Sequence, residues 1–281
     1  MEQSDPEDRR RANSKAGAPT RFIVAVGSGK GGVGKSTLSL NLALALADTG
    51  AAVGLLDADV YGPNIPLMVG LVRQRWGNDW TLARNPDLGQ QRMAAVERFG
   101  LKIMSVGFII GEDQPLVWEA ELVRLLARQL LHEVDWGALD YLVVDLPPGT
   151  ADIQQVLAQE IPFFGALLVV TPQDVAHLDA KKAVQMYRRF GVPVLGGVEN
   201  MSGLLCPHCS QPIDIFPRVP QARSIWAMGV EKLGAIPVDP AVSQAGDRGR
   251  PLLVTHPASP QSTAFRALAE RLAEKLRATP R

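Results

Sequence analysis

The chain has 281 residues, 46% of them hydrophobic, and equal numbers of basic (Lys+Arg) and acidic (Asp+Glu) side chains, 29 of each. That apolar share excludes a disordered chain, and a formal net charge of zero leaves no electrostatic footprint for nucleic acid or a membrane surface as partner. Two cysteines are too few for a disulfide-stapled scaffold, and no apolar run reaches the roughly 18 residues of a membrane helix.

From the start of the chain, residues 1–20 contain no Leu, Ile, Val, Phe, Trp or Tyr and read as a disordered tail. The opening Met1-Glu2-Gln3-Ser4-Asp5 lacks the basic-then-apolar plan of a secretion signal, so the cytoplasm is the expected location. Residues 21–281 read as a single domain. Phe22–Val26 is a short apolar run before a Gly-rich turn, a buried strand. Ser36–Ala47, with Leu38, Leu40, Leu42, Leu44 and Leu46 among small residues, is a buried helix, and Ala52–Leu56 is the next strand. Val72–Glu97 reads as an insertion or hairpin. A helix over Ala120–Glu133 leads to strand Tyr141–Val144, strand Ala166–Val170 to a helix over Ala176–Phe190, and then strand Val192–Val198 follows. A last amphipathic helix, Ser262–Arg277, lines up Phe265, Leu268, Leu272 and Leu276. Strands alternating with helices predict an α/β fold, a mostly parallel central sheet with helices on both faces.

Gly29-Lys30-Gly31-Gly32-Val33-Gly34-Lys35-Ser36, followed by Thr37, matches the phosphate-loop pattern and stands between a strand and a helix. Glycines let backbone N–H groups curl around phosphate oxygens, and the helix N-terminus adds partial positive charge. Lys35 is expected on the β/γ-phosphates and Ser36 on Mg²⁺. Asp57 and Asp59 follow the second strand and Asp145 ends another, all at the sheet edge where the loop opens, so Asp57 and Asp145 are candidates for holding Mg²⁺ or its water. In the stiff turn Leu146-Pro147-Pro148-Gly149-Thr150, the Gly149 N–H is placed to sense a γ-phosphate.

Cys206 and Cys209 are spaced C-x-x-C, for which three readings compete. A redox dithiol opens a helix with its first cysteine, whereas Pro212 close behind reads as turn. In the second reading the pair is half of a metal site: zinc or an iron–sulfur cluster wants about four ligands, so one chain falls two short and a two-fold dimer would complete the set. The third reading is a plain turn with free thiols. Thiolates alone do not separate iron–sulfur from zinc. The single histidines His132, His177 and His256 are expected on helix surfaces or in loops.

Lys30 gives the loop the "deviant" form of the MinD/ParA/nitrogenase-iron-protein group of dimeric ATPases. Leu56-Asp57-Ala58-Asp59-Val60-Tyr61-Gly62-Pro63-Asn64, Val144–Thr150, Val198-Glu199-Asn200-Met201-Ser202 and Cys206-Pro207-His208-Cys209 together resemble the Mrp (ApbC-type) iron–sulfur carrier family, from about Phe22 to Leu253. The resemblance implies a homodimeric ATPase whose Lys30 crosses to the partner's nucleotide, whose Asp59 positions or deprotonates water, and whose Asn200 reads adenine. It implies ATP, Mg²⁺ and an iron–sulfur cluster of the 4Fe–4S kind as cofactors. Cys206 and Cys209 would share the cluster across a dimer, with apo iron–sulfur proteins as recipients. A lysine supplied in trans would act as an arginine finger does. The rival within the group is a MinD/ParA-like positioning ATPase. The chain departs from the family pattern at Glu119-Ala120-Glu121, at Pro217-Arg218-Val219-Pro220 and at Ser224-Ile225-Trp226, changes that spare the nucleotide site and bear on the partner surface.

Overall fold

The computed structural model describes residues 20–71, 93–109, 119–150, 152–206, 208–209 and 211–279. The expected tail and most of the expected insertion at 72–97 therefore lie outside the described residues. Eleven strands are described: β1 Phe22–Ser28, β2 Val53–Asp57, β3 Met93–Ala94, β4 Val96–Arg98, β5 Leu101–Ser105, β6 Val134–Asp135, β7 Tyr141–Asp145, β8 Gly165–Val170, β9 Val194–Leu205, β10 Pro212–Ile213 and β11 Lys232–Val238. Nine α-helices are described beside them: α1 Lys35–Ala47, α2 Ile65–Met68, α3 Val106–Ile109, α4 Ala120–His132, α5 Asp152–Glu160, α6 Asp174–Arg189, α7 Pro240–Asp247, α8 Leu252–Thr255 and α9 Pro260–Ala278.

The main sheet runs β9-β8-β1-β7-β2-β5-β4, with β10 and β11 both on the outer edge of β9. Among the described strands only β4 and β10 pair antiparallel. From β1 the chain moves one way across the sheet to β2, and from β7 it moves the other way to β8. Right-handed crossovers then put α1 on one face and α5 on the other, with the switch of direction at β1. The predicted class is the observed one.

The core explains the helices. All five leucines of α1 are buried, because this helix meets β2 and β7 below and α9 beside it. Phe265, Leu268, Leu272 and Leu276 of α9 are each at most 1% exposed. Their three- and four-residue spacing makes one stripe, and that stripe is what α9 lays on the sheet and α1. Three differences from the sequence reading matter. β5, absent from that reading, extends the sheet beside β2. β9 runs on past Val198 to Leu205, carrying the chain to the cysteines. And His177, expected at the surface, is fully buried in α6.

Candidate nucleotide site and cysteine hairpin

β1 delivers the Gly-rich loop to the carboxyl edge of the sheet, where α6 crosses it closely. A Cβ on Gly29 would sit 2.2 Å from the Ala180 backbone nitrogen, so no side chain fits there. Gly34 combines a left-handed backbone, φ 81°, with an Asn200 amide that would lie 2.3 Å from an added Cβ. α1 then starts at Lys35 with no capping side chain and no acid in its first turn. Its orphan N–H groups and the positive end of its dipole are left for an anion.

Register brings the acids together. Asp57 and Asp145 are direct neighbours across β2 and β7, and Asp57 is flanked by Ser105 across β5. The Lys35 ammonium lies 2.9 Å from Asp145 Oδ1, 3.4 Å from Asp59 Oδ2 and 3.5 Å from Ser36 Oγ. Burial works against that lysine's charge, but Asp145, Asp59 and Asp57 outweigh it and raise its pKa. Burial, and after it the Asp145 charge, pushes the Asp57 carboxyl up to about 8. Asp59 is raised by burial too, with Lys35 pulling the other way.

The carboxylates divide their work. Asp57 accepts from the backbone N–H of Asp59 and Ile65 at 3.2 Å each and from the Ser105 hydroxyl at 2.9 Å. It thereby ties down the loop that follows β2 and carries Asp59. Asp145 Oδ1 takes Lys35 and, at 2.7 Å, the Ser39 hydroxyl, whereas Asp145 Oδ2 is buried with no hydrogen-bond partner among the described residues. Both the Ser36 hydroxyl and Asp145 approach the Lys35 ammonium, and a hydroxyl with a hard carboxylate oxygen is donor chemistry that suits Mg²⁺. Ser39 and Ser105 were missed from sequence. The first was findable, four residues after Lys35 on one helix face; the second required knowing that β5 pairs with β2.

Two loop positions complete the edge. The Gly149 N–H donates to the Ser28 carbonyl at 3.0 Å, joining the Pro147-Pro148-Gly149 turn to the phosphate loop. Lys30 is half-buried and pairs with no carboxylate among the described residues. On the other side, the Asn200 amide of β9 donates to the Val33 carbonyl at 2.8 Å.

Beyond Asn200, β9 ends in a hairpin. β10 pairs back on it, Pro212 beside Leu205 and Ile213 beside Leu204, and the Cys206 N–H donates to the Gln211 carbonyl at 2.9 Å. The cysteines thus sit at a strand hairpin tip and not at a helix start, which removes the helix dipole that the redox reading required. Cys206 is part-exposed and Cys209 exposed, both as free thiols. The backbone N–H groups of Cys209 and His208, and the Cys209 side chain, hold the Cys206 thiol below its usual pKa. Amide donors aimed at a sulfur favour the thiolate, the form that binds metal.

The departures at 217–226 pack against α6. The Val219 N–H donates to the Pro172 carbonyl, Arg223 pairs with Asp174 at 2.9 Å, and the Ile225 N–H donates to His177 Nδ1 at 3.2 Å.

Comparison with known proteins agrees with this geometry. Residues 20–273 match the family model for the NUBPL iron-transfer P-loop NTPase. An iron-sulfur cluster carrier protein of Aquifex aeolicus is 46% identical over 255 residues, covering 90% of this chain and 68% of that protein. The iron-sulfur cluster transfer protein NUBPL of Mus musculus is 43% identical over 263 residues, covering 92% and 79%. Among solved structures, the nucleotide-binding protein of Archaeoglobus fulgidus in complex with ADP superposes with a TM-score of 0.72 at 34% identity, covering 94% of this chain and 97% of that one. The cell division ATPase MinD of Pyrococcus furiosus, at 22% identity and a TM-score of 0.65, shares the fold. A family model matched over residues 20–273, and carrier and transfer proteins 43–46% identical over nine-tenths of the chain, place this protein in the NUBPL iron-transfer P-loop NTPase family.

Proposed function

We propose that this chain is an ATP-hydrolysing carrier that holds an iron–sulfur cluster between two copies and delivers it to apoproteins. The observation that carries the reading is β9 itself. The strand that places Asn200 on the phosphate loop ends in a cysteine pair whose first thiol is acidified by backbone N–H groups. One chain supplies two thiolates where a cluster takes about four ligands, so two copies related by a two-fold axis complete the set. A 4Fe–4S cluster fits that count. The proteins named as carriers or transfer proteins among its relatives support the same cargo.

Each site residue then has a task. The loop Gly29–Ser36, with Thr37, cradles the phosphates and Lys35 neutralises their charge. Ser36 and Asp145 would hold Mg²⁺, which when bound offsets phosphate charge, and Asp57 keeps the loop after β2 in place. Asp59 orients the attacking water, Gly149 follows the γ-phosphate by giving up the bond its N–H makes to the Ser28 carbonyl, and Asn200 lies beside adenine. Lys30 reaches the nucleotide of the other copy. A cytoplasmic setting would keep the thiols reduced, and no helix among the described residues is long and apolar enough to cross a membrane.

Anaerobic reconstitution tests the cargo. The sample should carry about four irons and four sulfides per dimer, and Cys206→Ala or Cys209→Ala should each remove them while ATP still binds. Zinc in place of iron and sulfide, or a monomer holding a full complement of metal, would overturn the shared-cluster reading.

A further inference from the structure

The ladder between β9 and β11 breaks between Asn200 and the cysteines. Asn200 lies opposite Ile236 and Leu204 opposite Val238, so β9 carries two more residues than β11 over this interval. The residue between Ile236 and Val238 is Pro237, which has no N–H to give to a neighbouring strand. The extra residues of β9 bulge out where the proline breaks the ladder.

Within the bulge Met201 has φ 55°, a left-handed backbone that a side chain other than glycine adopts at a cost. Phe99, the other such residue described, has φ 53° beside Gly100, in the two-residue turn between β4 and β5 that calls for positive φ. Met201 stands inside a strand, where no turn calls for it. Its terminal methyl would lie 3.8 Å from a Cβ built on Gly34, so its side chain rests beside the phosphate loop.

We propose that Met201 is a positioning residue that couples nucleotide binding at the phosphate loop to the aim of the Cys206–Cys209 hairpin. Its left-handed backbone is held from both ends. On one side Asn200 is tied to the Val33 carbonyl, and on the other Leu204 is paired with Val238 and Ile213. A nucleotide that draws Asn200 away from Val33 removes one of these two constraints, and the strained residue is where the strand yields. The hairpin beyond it then turns relative to the loop. The purpose of this coupling, gating a cluster, and the nucleotide's pull on Asn200 rest on the reading above; the route from Asn200 to the cysteines rests on β9.

Alkylation of the iron-free full chain by iodoacetamide reads the hairpin without any cluster. The rates at Cys206 and Cys209 are followed by mass spectrometry with and without saturating Mg·ATP. In the wild type, ATP should change at least one rate by about fivefold or more. Met201→Gly, which accepts the left-handed backbone freely and lacks the side chain, should bring the ATP effect below about twofold. Met201→Leu, which keeps both the strain and the bulk, should retain it. Should Met201→Gly not fold, Pro237→Ala restores an N–H opposite the bulge and should weaken the effect in the same way. Wild-type rates indifferent to ATP would overturn the proposal, as would a full ATP effect in the glycine variant, or in Pro237→Ala where that variant stands in. Iron and sulfide analysis separates the two ideas: cysteines that respond to ATP yet never hold a cluster reject the carrier reading and leave the coupling standing.

Discussion

Lys35 is the buried cation of the candidate nucleotide site. It lies against two carboxylates, Asp59 and Asp145, at a position only 6% exposed, and Asp145 is fully buried. Breaking a buried pair by removing one member leaves an uncompensated charge, at a cost of about 3–5 kcal/mol. Lys35→Ala should therefore do two things. ATP binding, read by calorimetry, should vanish because the β/γ-phosphates lose their counter-charge. Thermal unfolding without nucleotide should also move down by several degrees, as Asp145 loses its cation. Loss of ATP binding with an unchanged unfolding midpoint would show that Asp145 does not depend on Lys35 for its place in the core. Ser39 limits the damage, since its hydroxyl still donates to Asp145 Oδ1.

Among the elements, the segment after the cysteine hairpin and the helix α6 under it act as one piece. Pro172, Asp174 and His177 hold Val219, Arg223 and Ile225, and Arg188 donates to the Met228 carbonyl at 2.7 Å. His177 is the buried member. Its Nδ1 accepts the Ile225 N–H, its Nε2 has no partner among the described residues, and Trp226 meets its ring edge to face at 5.6 Å. Burial lowers its pKa below the usual 6.5, while Glu199 and Asp174 raise it and Lys232 and Lys181 lower it further. A histidine with a depressed pKa binds fewer protons folded than unfolded, so its contribution is complete above 6.5 and is lost as pH falls through the folded value. Protonation would also place a hydrogen on Nδ1 against the Ile225 N–H. The unfolding midpoint should thus decline as pH is lowered below about 6.5, and His177→Gln should flatten that decline. A variant with the wild-type acid slope would assign the decline to the carboxylates instead.

For the whole molecule the question is what a second copy adds. Lys30 stands at the mouth of the phosphate loop without a carboxylate partner among the described residues, unlike Lys35, which has two. A lysine that acts on the partner's nucleotide matters only in the assembled dimer. Lys30→Ala should bind ATP and hydrolyse it at least about a hundredfold more slowly, in keeping with the effect of a finger residue. Wild-type hydrolysis per chain should also rise with protein concentration until dimers saturate. Hydrolysis by Lys30→Ala at the wild-type rate would exclude the trans role.

Much of this protein is written locally. Glycines, Lys35 and Ser36 at fixed spacing point to the candidate phosphate site because backbone curvature and charge are properties of a short segment. The leucine rows of α1 and α9 carry those helices because a period of 3.6 is also local. Asp57 and Asp145 are legible for a related reason: each ends a run of apolar residues, where a parallel sheet presents its edge. What only the tertiary structure decided depends on partners far away in the chain. β9 outruns its apolar stretch because Glu199-Asn200-Met201-Ser202-Gly203 is polar and glycine-bearing, and it is kept in the sheet by β11, more than thirty residues on. Pro237, which shapes the bulge at Met201, acts across that same pairing. His177 is polar by sequence and buried by position, because the segment around Trp226 folds back over α6. Ser105 counts as a site residue only once β5 lies beside β2. Local periodicity and composition set the elements and the chemistry of the loop; the distances between elements were set by packing, which no window of sequence contains.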